Sequence, residues 1–370
     1  MTTCNSRNSP NQRGVGLVEI MVGIVIGMLL ILMIFQVYLV TESQKRTITS
    51  SNDAQENASY GLFLLAQELA GAGNVISTST TALAGCAMLR PIPVAIAAGA
   101  TATDPDTVTA FYGGSGSLST PAPLLSGANV STSPPGVYQV AGPVGYSPGD
   151  LIAAVQGTNC TLSIINVAGV AVGAGTGITT IAHTLTATPG NNSAFTYGAT
   201  VASLVNLGQG DRIGQTLYSV DTANSTLMTQ SLLPAVLPVV PLPATPVVSN
   251  VVNLKAQYGL DTDGDGDVDT WQPATTGGTW SSVNLPLQPS AVAADGKTWF
   301  PWQRIQAVRV AIVTRSDKYE TDAVTAGPLG MFCSPTPCAV SMTLTADQQH
   351  YRYKVLETIV PLRNAVWNAP

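Results

Sequence analysis

The sequence predicts an α+β protein: a long N-terminal helix, transmembrane over its first half, packed on an antiparallel β-sheet head with long loops. Three observations carry that expectation. Residues 15–40 read VGLVEIMVGIVIGMLLILMIFQVYLV, and Glu19 is their only charge. Residues 41–73 turn polar but keep apolar residues at helical spacing. Residues 251–370 contain runs that alternate apolar and polar, the pattern of a half-buried strand.

From Ile20 to Val40 the one clearly polar side chain is Gln36. At about 1.5 Å per residue such a helix spans about 30 Å, the thickness of a bilayer core. A leader, residues 1–14, precedes it with Arg7 and Arg13, and Glu42, Lys45 and Arg46 follow it. A secretory signal would have a shorter apolar core and a small-residue cleavage site behind it. A plain anchor leaves Glu19 unexplained, because a carboxylate inside an apolar span costs a few kcal/mol unless paired or protonated. That carboxylate calls for a cation in the same layer. Gly23 and Gly27 form a G-x-x-x-G that suits close helix packing, although glycine is common in membrane helices anyway.

In residues 41–73, Leu62, Leu65, Ala66 and Leu69 recur three and four apart with Phe63 beside them, and Gln55, Glu56, Gln67 and Glu68 fall off the stripe. Gly71 and Gly73 are stop signals. One helix from about Val15 to Gly71 is the expectation, with a break near Ser50–Asn52 as the competing one. Its second half needs a surface to cover, most simply a sheet.

Residues 74–250 are low in charge and rich in Gly, Ser, Thr, Ala and Val. Short alternating runs at Thr107–Phe111, Gly136–Val140, Asp150–Val155, Thr161–Val167 and Gln215–Val220 predict an irregular β region. Pro234–Pro246 holds five prolines and is excluded from a central strand. From Val251 three strands are expected. VVNLKAQYGL is the first. In residues 305–316, Val308, Val310 and Ile312 share one face and Arg309 and Ala311 the other. In residues 351–364, Tyr353, Val355, Glu357 and Ile359 oppose Lys354, Leu356 and Thr358.

Between the first two of these strands runs D-T-D-G-D-G-D-V-D, Asp261, Asp263, Asp265, Asp267 and Asp269. Five aspartates in nine residues repel one another unless a cation sits among them, and Ca²⁺ takes six to eight oxygens from flexible loops. The spacing follows the EF-hand loop through its Gly at position 6, Gly266. Position 12 is Gln272 rather than a bidentate Glu, so Ca²⁺ is the expected ligand with weakened affinity. A solvated acidic turn is the plainer alternative.

Five cysteines are present, and Cys4 lies in the leader. Cys86, Cys160, Cys333 and Cys338 remain, in the part expected outside the cytoplasm, where disulfides form. Four cysteines allow three connectivities. Cys333 and Cys338 enclose only four residues, so a small local loop is the economical choice, which leaves Cys86 with Cys160. Zinc is excluded because His183 and His350 stand far apart. The formal net charge is −6, and −8 without the leader's two arginines, with no Lys/Arg cluster, so nucleic acid is not an expected partner. There is no G-x-S-x-G, P-loop or H-E-x-x-H, and His183 in IAHTL reads as a packed strand residue. Nothing meets the requirements of a catalytic site, so a non-enzyme is expected.

The N-terminal pattern G-VGLVEIMV resembles the class III signal of type IV pilins and pseudopilins, with Val15 and Gly16 where that signal usually has Phe and Thr. Gly14 matches the residue before the cut, Val15 the new N-terminus and Glu19 the fifth mature position. Four further stretches resemble the PilW family of minor pilins: YGLFLLAQELAGAG (60–73) with Cys86 soon after, YGLDTDGDG (258–266), VRVAIVTRS (308–316) and ETIVPLRN (357–364). The resemblance implies a type IV pilin-like fold and cleavage and methylation by prepilin peptidase. It implies a minor pilin that enters or primes a type IV pilus, with roles in biogenesis, adhesion and twitching. The implied partners are other major and minor pilins through the N-terminal helix, the inner-membrane assembly platform and a possible surface ligand. Glu19 would pair with a neighbouring subunit's N-terminus. The implied location is the inner membrane, single-pass with a periplasmic head, and then the pilus at the cell surface. A type II secretion pseudopilin and a membrane-tethered calcium-binding adhesin are the alternatives.

Overall fold

The computed structural model describes residues 16–74, 83 and 92–366. Within that last range it leaves out 102, 113–120, 126–127, 130–135, 143–144, 158, 176, 186–194, 200, 210–212, 233–241, 286–287, 289–290, 293–295, 297 and 335. Gly14, Val15 and Cys86 therefore lie outside the described residues, as does most of the proline-rich 234–246 stretch. The chain forms two compact units, Met1–Asn52 and Asp53–Pro370.

One α-helix runs from Leu17 to Gly71 without a break at Ser50–Asn52. Its apolar start is the one segment among the described residues long and apolar enough to cross a membrane. In the first unit the side chains from Leu17 to Val40 are uncovered; Leu17 is 74% and Phe35 59% exposed. As the helix turns polar, the Thr41 and Thr47 hydroxyls donate back to the Val37 and Ser43 carbonyls (2.8 and 3.0 Å). Arg46 pairs with Glu42 one turn earlier (3.1 Å).

In the second unit the helix buries Ala54, Ala58, Gly61, Leu62, Leu65 and Leu69, one stripe at the 3.6-residue period. Small residues come first, so the backbone approaches the sheet closely. A Cβ on Gly61 would lie 3.1 Å from Ile312 Cδ1. The Thr314 hydroxyl donates to the Ala54 carbonyl at 2.8 Å. Phe63, beside the stripe, is 62% exposed.

The surface beneath is an antiparallel four-stranded sheet in the order Thr270–Pro273, Val251–Leu260, Ile305–Arg315, Tyr353–Pro361. Its strands are paired in register Tyr258↔Val308 and Val310↔Thr358. The alternation expected for residues 305–316 sets its two faces. Val308, Val310 and Ile312 join Leu62, Leu65 and Leu69 in the main core. Ala311 and Val313 point the other way, onto Met331, Phe332 and Met342. These last come from a hairpin, Leu329–Met331 with Val340–Met342, closed by a Cys333–Cys338 disulfide.

A second antiparallel sheet completes the main core. It has five strands in the order Val94–Ala97, Thr107–Tyr112, Gly214–Asp221, Thr226–Ser231, Thr245–Ser249. It contributes Val94, Ile96, Val108, Ala110 and Leu227. Pro246 sits on its outermost strand, where a missing N–H breaks no ladder. A third, six-stranded sheet includes Asp150–Gln156, Asn159–Val172, Ile178–Leu185 and Ser203–Gln209, with a separate apolar cluster on each face. Between Asp106 and Asp211 the one charged residue is Asp150. It is buried and accepts from the Ser147 N–H and from Asn206 Nδ2 (both 2.8 Å) and Gln209 Nε2 (2.5 Å).

Candidate functional site

At the N-terminus the helix opens with Gly16 accepting from the Glu19 N–H (2.9 Å) and the Ile20 N–H (3.2 Å). Glu19 therefore sits in the first turn, where a carboxylate meets the positive end of the helix dipole. A Cβ on Gly23 or Gly27 would meet nothing within 4 Å, so this face of the helix offers a shallow, open track.

The acidic loop joins Val251–Leu260 to Thr270–Pro273, a hairpin connection rather than a helix–loop–helix. Its anchor is Asp261, 2% exposed, whose N–H donates to the Arg304 carbonyl (2.9 Å). The Asp261 carboxylate accepts from the Gly264 N–H (2.6 Å) and the Gly266 N–H (2.9 Å). Both glycines are left-handed, φ +87 and +94, a conformation that favours glycine. This turn brings carboxylate oxygens of Asp261, Asp263 and Asp265 within 4.8 Å of one another. Oxygens on opposite sides of a Ca²⁺ bound at about 2.3–2.6 Å would be spaced about that far apart.

The structure thus gathers three of the five aspartates. Asp267 and Asp269 stand outside the cluster. Asp269 stands just before the return strand, and its carboxylate accepts from the Thr262 N–H and hydroxyl (both 2.6 Å). Those two bonds hold its pKa below the usual carboxylate range. Asp263 goes the other way. The Asp265 N–H pulls it down, but partial desolvation and the charges of Asp265, Asp269 and Asp261 outweigh that and raise it. Gln272, at the twelfth position, lies in the return strand opposite Tyr258.

The return strand also carries Trp271. Its ring lies 4.8 Å from the Arg309 guanidinium carbon, and the Phe332 ring covers the guanidinium at 4.5 Å. Arg309 donates to Gln257 Oε1 from Nε at 2.9 Å. Phe332, next to Cys333, holds a left-handed φ of 57, with its N–H on the Glu357 carboxylate and its carbonyl accepting from Ala339 (3.1 Å). Cys160 is itself disulfide-bonded; its expected partner, Cys86, lies outside the described residues. The arginine–aromatic stack draws on three distant segments and had no signal in the sequence beyond Arg309 standing among the apolar residues Ala307–Val313.

Two family patterns fall on these features. Residues 9–35 match the prokaryotic N-terminal methylation motif, which defines the class: a chain with a pilin-type processing signal at the head of an uncovered apolar helix. A second pattern is similar further along: residues 217–364 match PilW, the type IV pilus-assembly protein W. That span contains the acidic loop, the disulfide hairpin and the four-stranded sheet. No curated protein matches the chain. Among solved structures, a type IV-like pilin from Thermus thermophilus is similar at 10% identity and a TM-score of 0.33, over 84% of this chain and 97% of that one. That likeness is too slight to argue from.

Proposed function

We propose that the protein is a minor pilin, cut after Gly14 by prepilin peptidase, methylated on Val15 and built into, or priming, a type IV pilus. One observation carries the reading. The methylation motif coincides with the start of a helix whose apolar side chains from Leu17 to Val40 are uncovered, and the one acid of that stretch, Glu19, stands in the first turn. Such a helix is finished only by lipid or by other helices of its kind. Its partners are then other major and minor pilins, with the peptidase and the inner-membrane platform handling it beforehand. The head lies in the periplasm before assembly and on the pilus afterwards. Mass spectrometry of the mature protein is expected to find Val15, carrying a methyl group, as the first residue. A start at Met1, or after a cut further along the chain, would rule the reading out.

The acidic loop is proposed to take Ca²⁺ through Asp261, Asp263 and Asp265, with water or backbone oxygens completing the shell. Support comes from the three carboxylates gathered within 4.8 Å of one another, and from the pKa of Asp263, which, despite the Asp265 N–H, desolvation and the charges of Asp265, Asp269 and Asp261 raise, a crowding that a cation relieves. Titrating Ca²⁺ into the purified full chain is expected to raise the unfolding midpoint by a few degrees and to change Trp271 emission. Asp261→Asn is expected to abolish both responses. An unmoved midpoint at millimolar Ca²⁺ would dispose of the calcium site.

A further inference from the structure

A cleft of about 470 Å³ opens in the head away from the acidic loop's carboxylates. That is within the roughly 300–1,000 Å³ of clefts that hold small ligands. Three segments wall it: Ala98–Thr101, Pro273–Thr276 and Ala339–Ser341. Each is held in place independently of any ligand. The Thr101 N–H and hydroxyl donate to Asp104 (2.9 and 2.8 Å), and a Cβ on Gly99 would meet the Asp104 carbonyl at 2.5 Å. The Thr275 carbonyl accepts from Gly278 (3.2 Å). Ala339 follows the Cys333–Cys338 disulfide and donates to Phe332.

The base of the cleft holds a buried ion pair. Lys255 Nζ lies 2.9 Å from Asp106 Oδ1, with side chains 7% and 9% exposed. Burying such a pair is expensive, and an apolar pair of similar volume is often as stable. Asp106 is well supplied with donors: the Gly99 N–H (3.0 Å) and the Ala256 N–H (3.1 Å) besides the ammonium. Lys255 is not supplied with acceptors. An ammonium carries three donors, and its partner among the described residues is Asp106.

We propose that this cleft binds a neutral saccharide, one or two sugar rings at the end of a glycan, with hydroxyl oxygens accepting from Lys255. The charge balance selects neutrality. Asp106 already cancels Lys255, so a carboxylate ligand would bury an uncompensated negative charge in a chain of net charge −6. The walls select a polyol. Thr275, Thr276 and Ser341 are exposed hydroxyls that both donate and accept, set among alanines small enough to lie against ring C–H groups. The site does not depend on the filament role of the helix.

The test uses the full chain in phospholipid nanodiscs, because common detergents are themselves sugars. It is screened on an array of neutral and uronic-acid glycans, and hits are measured by calorimetry. At least one neutral glycan is expected to bind, with affinity unchanged between low and high salt. Thr275→Val with Ser341→Val, both at exposed positions that leave folding intact, is expected to weaken it about thirtyfold, as loss of two neutral hydrogen bonds of about 1 kcal/mol each predicts. Lys255→Met with Asp106→Asn, which strands no buried charge, is expected to remove it. Failure of every neutral glycan to bind overturns the proposal, as does binding of uronic-acid glycans alone or equal affinity in all variants.

Discussion

Replacing Glu19 by alanine is expected to keep the protein in the membrane and out of the filament. Glu19 is the only charge between Val15 and Glu42 and sits in the first turn of the helix. A charged side chain costs about 2.5–3.5 kcal/mol at the centre of a membrane helix on insertion scales, and a carboxylate near the end of one costs less but still does not favour lipid. Glu19→Ala therefore does not weaken insertion, and the variant is expected at normal levels in the inner membrane, cut at the same bond. Assembly is a different balance. In the proposed assembly the helix would leave lipid for a bundle of like helices, and the new amine at Val15 would need an acceptor in an apolar layer. Removing one member of such a pair strands the other, at about 3–5 kcal/mol. That is well over a tenfold loss of incorporation. The measurement is an immunoblot of sheared pili against the membrane fraction, with Glu19→Asp retaining part of the wild-type signal. Normal amounts of Glu19→Ala in sheared pili would mean that the helix is only a tether. A calcium-binding adhesin that never polymerises would then be the better account.

The parts of this molecule that local pattern controls are the parts the sequence made legible. Leu62, Leu65 and Leu69 recur at the helical period and are buried on one stripe. Val308, Val310 and Ile312 alternate with Arg309 and Ala311, and the two sets enter different layers. Alternation names a face but not a partner. Nothing near Thr107–Tyr112 indicates that it pairs with Gly214–Asp221, about a hundred residues on. Asp106 and Lys255 meet for the same reason: the sheets bring them together, and neither has a local signal. The acidic loop shows the limit at closer range. The even spacing of its aspartates suggests five equivalent ligands, but the return strand begins at Thr270, so Asp269 is spent on Thr262 and the cluster shrinks to three.

His183 should make the head lose stability in mild acid. It lies on Ile178–Leu185, 1% exposed, its ring stacked on Tyr138 at 3.9 Å. Gly136, opposite it in the sheet, makes the room, since a Cβ there would come within 2.7 Å of the imidazole. Among the described residues neither ring nitrogen has a hydrogen-bond partner. A proton on this ring would be a buried, unpaired charge, so burial lowers its pKa from 6.5 to about 4. Unfolded, the same histidine takes up its proton near 6.5. Between those two values the unfolded chain binds a proton that the folded chain refuses. Stability is therefore full above about pH 7 and falls as the pH drops towards 4, by about 3 kcal/mol in total. Carboxylates elsewhere also titrate near pH 4, so the informative quantity is the difference between wild type and His183→Phe, which keeps a flat ring without the titration. In denaturant unfolding at pH 7.5, 6.0 and 4.5, the wild-type curve should fall progressively further relative to the variant as the pH drops. Two curves that run parallel across that range would show that water or a nearby group solvates the protonated ring, and that the burial of His183 carries no pH dependence.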